Sequence, residues 1–444
     1  MGRATDDRAI DDRGIDDRAI DDRAIDDRAI DDRAVDALGA ERLDWRFKAV
    51  PAAADGATVK EYLRTRPTLD DFGTPLLTLD AGALDHNIRL MASWTAEAGV
   101  HLAPHGKTTM APALWRRQLD AGAWGITLAN LPQLRVGRAF GLRNVVLANT
   151  LLDPAGLAWL SRELDRDPGF TFLSWVDAVR SVELMDRALR AAGASRPVDV
   201  CVELGGPGGR TGVRDDGEAA AVAEAVRRAP TLRLAGVAGY EGALARDASA
   251  EGRAAVDAYL RRMAALHGRL AYEVDEPVVS AGGSAFFDQV VDVLSGLDAR
   301  VVLRSGAYVV HDDGFYRSVS PFARGTGRGG RLRSAMHAWA RVVSRPEPAL
   351  ALLDAGRRDL SFDSGLPEPQ LVRGAGTAPV AGARVTALND QHAFLRDADV
   401  RVGDVVRLGL SHPCTVLDKW TLIPVVDDAG ADTPAVVDLL RTWF

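Results

Sequence analysis

Val100-His101-Leu102-Ala103-Pro104-His105-Gly106-Lys107-Thr108-Thr109 is an apolar run that stops at a proline and passes at once into histidine, glycine, lysine and threonine. Outward from this stretch the chain falls into a regular alternation. Strand-like runs occur at 100–103, 124–129, 145–149, 170–176, 198–204, 232–240, 277–281 and 301–304, and alanine- and arginine-rich segments of helical period separate most of them. Eight such strands alternating with helices predict a (β/α)8 barrel of the TIM type, with an open doubly wound sheet as the alternative.

A barrel sets functional residues just past the C-terminal ends of its strands. Lys107 follows the first strand and Asn130 the second; Asn149 ends the third, Glu203 the fifth, and Tyr240 with Glu241 the sixth. Gly282-Gly283-Ser284 follows the seventh strand and Ser305-Gly306 the eighth. Glycines let a backbone approach closely, amides at a helix start bind phosphate, and barrels often place phosphate on the loops after the last two strands.

Lys107 is conspicuous because only four lysines, Lys48, Lys60, Lys107 and Lys419, stand among 54 basic residues. Arginine stays protonated and forms no imine, whereas a desolvated lysine becomes a neutral nucleophile. The other reading of Lys107 is a surface lysine in a loop. A nucleotide P-loop is excluded, since the glycine it needs five residues before Gly106 is His101.

At 444 residues, 47% hydrophobic and 26% charged, the composition is that of a soluble globular chain of two domains. No apolar run approaches the roughly 20 residues of a membrane helix, and no secretory apolar core begins the chain, so a cytoplasmic enzyme is expected. Nothing is basic enough to hold nucleic acid. Two distant cysteines, Cys201 and Cys414, suggest no disulfide framework. The net charge of −8 comes largely from six pentads of the form Asp-Asp-Arg-Ala-Ile between Asp6 and Val35. Their five-residue period fits neither helix nor strand, so residues 1–36 are expected to be disordered low complexity, with 37–73 a connecting segment able to pack on a later β domain. The barrel is expected over 74–320. Past Pro321 a glycine-rich connection at 325–330 leads into short apolar runs at 338–344, 349–354, 385–388, 405–410 and 421–426, which predict a smaller C-terminal β domain over 321–444. It contains His392 and the cluster Ser411-His412-Pro413-Cys414-Thr415.

A lysine at a barrel mouth, a phosphate loop across from it and a trailing β domain together suggest pyridoxal phosphate. From about Thr74 onward the chain resembles the D-serine dehydratase / D-threonine aldolase family, fold-type III pyridoxal-phosphate enzymes with an alanine racemase-like barrel. The resemblance lies in Pro104-His105-Gly106-Lys107-Thr108, in Arg210 and Gly212 of a Gly-x-x-Arg-x-Gly element whose first glycine is Pro207 here, and in the Gly282-Gly283-Ser284 loop. It also lies in His412-x-Cys414-Thr415, since the dehydratases of this family hold zinc with a His-x-Cys pair where the aldolases tend to carry aspartate in place of the cysteine. Outside that context the pair reads as a buried cysteine beside a capping histidine. The sequence departs from the family at Ala103, usually arginine, and at Thr109-Met110, often His-Lys.

The resemblance implies pyridoxal phosphate on Lys107, with His105, Arg210, Tyr240, Gly282, Gly283 and Ser284 around it, and Zn2+ on His412 and Cys414. His105 either orients the ring or caps its loop. Arg210 touches the cofactor or is a surface charge, and Tyr240 lines the cofactor or packs the core. His392 is an auxiliary acid–base group near the metal or a surface histidine. The implied activity is dehydration and deamination of a D-serine-like D-3-hydroxy amino acid, with retro-aldol cleavage, racemization or non-catalytic pyridoxal-phosphate binding as alternatives. A homodimer is implied as well.

Overall fold

The computed structural model describes residues 29–245, 247–325 and 330–444. A ring of eight parallel strands, β2 to β9, forms the barrel: His101–Leu102, Ile126–Leu128, Asn144–Leu147, Thr171–Val176, Val198–Leu204, Leu232–Gly239, Val278–Ala281 and Arg300–Leu303. Each predicted run overlaps one of them, with Asn144 and Arg300 starting their strands one residue earlier. Neighbours pair in sequence order, β2 pairs with β9, and the ring closes through Trp124 N–H to Leu102 O at 2.7 Å and Thr127 N–H to Pro104 O at 2.9 Å. These strands are buried on both faces, which is why they read as unbroken apolar runs. The inner face is filled by Ala103, Val146, Leu173, Trp175, Cys201, Ala238 and Val302. Asn130 and Asn149 prove to be structural. Asn130 caps the helix Leu131–Ala139 by accepting from Gln133 N–H at 3.0 Å, and Asn149 donates to Ala129 O at 3.0 Å.

The strand β1 (Leu76–Asp80) does not join the barrel. Leu76, Leu77, Thr78 and Leu79 are all buried, so the strand needs a partner on each edge. It finds them in the C-terminal sheet, antiparallel to β10 (Met336–Glu347) and, after a further six strands β11 to β16, parallel to β17 (Leu422–Val426). The expected boundary at residue 74 therefore shifts: the barrel begins with the helix Ala81–Glu97, whose Leu84, Ile88 and Met91 face the core. Among the described residues the C-terminal sheet has ten strands, ending with β18 (Val436–Arg441). Segment 37–73 lies on this sheet, with Leu43, Phe47, Val59, Tyr62 and Phe72 sharing a core with Trp339, Leu422 and Leu439.

Disorder was expected through residue 36, but the last pentad is folded. Asp31 caps the helix Asp32–Ala37, accepting from Arg33 N–H at 2.9 Å and Ala34 N–H at 3.1 Å, while Ile30 and Val35 are buried in the main core. Two anchoring apolar groups and a cap give this pentad what its period alone does not. The earlier pentads as far as Arg28 and residues 326–329 of the glycine-rich connection lie outside the described residues. No described helix is long and apolar enough to cross a membrane.

His337 in β10 is 7% exposed, and its Nδ1 is buried without a hydrogen-bond partner among the described residues. Burial, aided by the Arg407 charge, holds its pKa down to about 3 from 6.5. The unfolded chain binds a proton that the folded chain refuses, so this contribution to stability is complete above pH 6.5 and is lost as pH falls toward 3. Urea unfolding should lose up to about 1.4 kcal/mol per pH unit from this residue inside that window. His337→Gln should flatten the slope; an unchanged slope would contradict the assignment.

Candidate active site

Pro104 ends the first barrel strand and the chain turns through the single 3-10 turn Gly106–Thr108. Only glycine fits at 106, where a Cβ would lie 2.8 Å from both Ile126 Cγ2 and Trp115 Nε1. Met110 closes the turn onto Gly106 O at 2.8 Å with φ of 41°. Lys107 is thereby held partly buried at the barrel mouth. Burial pushes its pKa down; the nearby Cys414 opposes this, and the charges of Arg210 and Arg304 add to it. His105, before it, has a buried Nδ1 with no partner among the described residues, and burial followed by the Lys107 and Arg304 charges holds it neutral.

The C-terminal domain reaches this turn directly. Cys414 Sγ and Thr108 Oγ1 are hydrogen-bonded at 3.4 Å. His412, two residues earlier, has a left-handed backbone (φ 54°), a costly conformation for a residue with a side chain. Asp312, 1% exposed, holds it there: Oδ2 accepts from His412 N–H at 2.9 Å, and Oδ1 from Tyr316 N–H at 2.7 Å. The His412 ring makes a short bond through Nδ1 to Asp363 Oδ2, and Asp363 Oδ1 accepts from Thr415 Oγ1 at 2.7 Å. The bond to Cys414 first, and then that to Asp363, raise His412 to about 9 against the opposing effect of burial. Burial pushes the Cys414 thiol up, but its hydrogen bonds with His412 and Thr108, together with the nearby His412 and Lys107 charges, leave it below its ordinary value. An imidazole made more basic and a thiol made more acidic are thus paired beside the lysine. Among the described residues no three His, Cys, Asp or Glu side chains gather as a metal cage; His412 and Cys414 form a two-donor edge.

The glycine loop differs from expectation. Gly282 N–H and Gly283 N–H do point inward, but both donate to one carboxylate, Glu241, at 3.0 and 2.6 Å. Glu241 leaves strand β7 opposite this loop and is fully buried, so it reaches the amides expected to receive phosphate. Ser284, beyond them, accepts from Ala307 N–H at 3.2 Å through Oγ. Tyr240 lies at the mouth, 38% exposed, with its ring edge against Gly283 and the Arg210 guanidinium 4.9 Å from its centroid. The Arg210 loop is wound on Arg214, which donates to Thr211 O at 2.9 Å, Gly209 O at 3.3 Å and Arg210 O at 2.8 Å. Beneath the mouth, buried Arg304 donates to Ser280 Oγ and Gly239 O, each at 2.6 Å.

His392 is not part of this cluster. It sits exposed in the hairpin turn between β14 (Arg384–Leu388) and β15 (Ala393–Arg396). That turn is fixed by its own bond, Asn389 N–H to His392 O at 2.8 Å, and by backbone bonds from Arg357 and Arg358, which leave the imidazole in solvent. Lys107, His105, Arg210 and Tyr240 are drawn together around the mouth, and His412 with Cys414 is added from the other domain. Glu241, already marked by its strand end, joins them through the glycine loop, and Asp312, Asp363 and Arg304, which strand-end position does not single out, lie around the same cluster.

A parallel barrel carrying a lysine at its mouth and a C-terminal β domain reaching over it define the class of alanine racemase-like proteins. Family models agree: the alanine racemase N-terminal domain matches residues 79–298 and the serine dehydratase domain residues 335–426. The chain is 30% identical over 345 residues to the D-threonine aldolase of Arthrobacter sp, covering 76% of this chain and 85% of that one. It is 26% identical over 345 residues to the D-threo-3-hydroxyaspartate dehydratase of Delftia sp. (strain HT23), covering 75% and 86%. The solved D-threonine aldolase of Filomicrobium marinum superposes with a TM-score of 0.70 at 26% identity, over 85% of this chain and 97% of that one. The chain belongs to the D-serine dehydratase / D-threonine aldolase family.

Asp312→Ala would strand the part-buried His412 and Tyr316 amides at a strained turn. Unsatisfied amides cost about 1–3 kcal/mol each, so urea unfolding should register a loss of about 2–5 kcal/mol. A change below about 0.5 kcal/mol would show that Asp312 does not hold the turn.

Proposed function

We propose that the chain is a pyridoxal-phosphate- and zinc-dependent lyase that dehydrates and deaminates D-3-hydroxy amino acids of the D-serine type. The observation carrying this reading is the bond between Cys414 and Thr108, which sets an imidazole–thiol pair against the turn that presents Lys107. The residues present suit both groups. His105 Nδ1 is a buried orphan at the mouth, Lys107 is depressed toward its neutral form, and Gly283 and Gly306 leave no room for a Cβ, which would lie 2.8 Å from Tyr240 Cε2 and 2.5 Å from His105 O respectively. Imidazole and thiolate are good zinc donors, and Asp363 on Nδ1 is the kind of carboxylate that orients a metal-binding histidine.

When bound, pyridoxal phosphate supplies an electron sink at Cα and zinc a Lewis acid for the β-hydroxyl. Lys107 would hold the cofactor and, once freed, would serve as the base for the Cα proton, a task that its lowered basicity suits. Arg210, stacked on Tyr240, would supply positive charge beside the ring. His412 and Cys414 would hold the metal, and Asp363 fixes the imidazole. Loss of the proton and the hydroxyl, followed by hydrolysis, yields a 2-oxo acid and ammonia. Retro-aldol cleavage to glycine and an aldehyde is the second reading, favoured by the similarity to D-threonine aldolase. A cytoplasmic homodimer belongs to the same proposal and rests on family resemblance.

D-Serine, D-threo-3-hydroxyaspartate and D-threonine incubated with the purified chain, with and without chelator, separate these readings. Chelator-sensitive 2-oxo acid and ammonia from the first two support dehydration; glycine with an aldehyde from any of them supports the aldolase. Asp363→Ala should weaken zinc binding about 10- to 100-fold in a competition titration. Retention of wild-type zinc affinity would contradict its orienting role.

A further inference from the structure

We infer that Glu241 is a positioning residue for cofactor phosphate: its carboxylate locks the Gly282-Gly283 turn so that the polar groups from Ser284 onward face the anion. The inference rests on the pyridoxal-phosphate reading above. Both amides of the turn donate to Glu241, while Ser305 Oγ donates to both of its carbonyls, Gly282 O at 3.1 Å and Gly283 O at 3.2 Å. Arg304 N–H adds a bond to Gly282 O at 3.1 Å. Every polar backbone group of the two glycines is therefore engaged from inside the protein. Side chains are excluded as well: Gly282 has φ of 91°, and a Cβ on it would lie 2.6 Å from Leu303 Cδ2.

Two successive amides converging on one carboxylate form the kind of nest that also binds phosphate oxygens, so Glu241 is either a brace or a competitor. Burial decides for the brace. The carboxylate is fully enclosed, Arg304 lies nearby as a balancing charge, and the Tyr240 ring covers Gly283. Swinging it out would break two charge-assisted bonds and leave two buried amides unpaired. A hollow of about 40 Å³ bordered by Tyr240, Gly283, Ser284, Phe286 and Tyr316 opens beside the braced turn. Ser284 is the first polar residue of the loop on that side.

The test is the affinity of the full chain for pyridoxal phosphate and for pyridoxal, which lacks the phosphate, followed by tryptophan quenching and visible imine absorbance. Glu241→Gln keeps the shape but turns an amide donor toward an amide donor. It should weaken pyridoxal phosphate about tenfold and leave pyridoxal within about twofold. Ser305→Ala, which loosens only the carbonyl side, should shift the same ratio in the same direction by a few-fold, and it decides the matter if the Gln variant does not fold. Tighter phosphate binding in Glu241→Gln would make the carboxylate a competitor and overturn the inference, as would an unchanged ratio of the two affinities. A wild-type chain that binds neither compound would overturn the cofactor reading and this inference with it.

Discussion

Strand β1, held between β10 and β17, joins the two ends of the molecule into one sheet before the barrel begins. Asp80 at its end serves both sides: Oδ1 caps the first barrel helix at Ala83 N–H, 2.7 Å, and Oδ2 accepts from Ala429 N–H, 2.9 Å. With the sheet anchored to the barrel entrance, the turn after β16 (Val405–Gly409) is delivered to the barrel mouth, and Asp313 N–H to Leu410 O at 2.9 Å and Asp312 to His412 secure it there. The meeting of Lys107 with His412 and Cys414 follows from strand pairing far from either.

The mouth that results is electrostatically dense. Lys107, Arg210, Arg304 and His412 face Cys414, Glu203, Glu241 and Asp363 within a partly desolvated space. Glu203, raised by burial and bonded to Thr211 Oγ1 at 2.8 Å, is kept nearer neutrality than an exposed carboxylate. Lys107 and His105 are pushed toward neutral forms while His412 and Cys414 are driven toward the ion pair. Such divergence among neighbours is typical of sites that move protons.

Much of the barrel was legible because parallel strands buried on both faces leave continuous apolar runs, and because barrels set chemistry at strand ends. Lys107, Arg210, Tyr240, His412 and Cys414 were singled out by that rule and by family motifs, and the fold brings them together at the barrel mouth. What stayed hidden depends on distant pairing. β1 looks like any barrel strand until its partners 336–339 and 425–426 are known. The strand β12 (Glu368–Arg373) carries a proline and partly exposed residues, so no alternation announces it. Asp312 and Asp363 act through residues about 50 to 100 positions away. Glu241 was visible at a strand end, yet its carboxylate takes the amides that glycine content alone assigned to phosphate. His392 is the converse case, a histidine of suitable type that its hairpin leaves exposed.

The scarcity of lysine allows a direct measurement of the central assignment. Borohydride reduction of the chain loaded with pyridoxal phosphate, followed by peptide mass spectrometry, can place the label on Lys48, Lys60, Lys107 or Lys419. Stoichiometric label on the Lys107 peptide, with none on the other three, is the expected result. Label spread over the exposed lysines, or none at all, would contradict the assignment of the barrel mouth as the cofactor site.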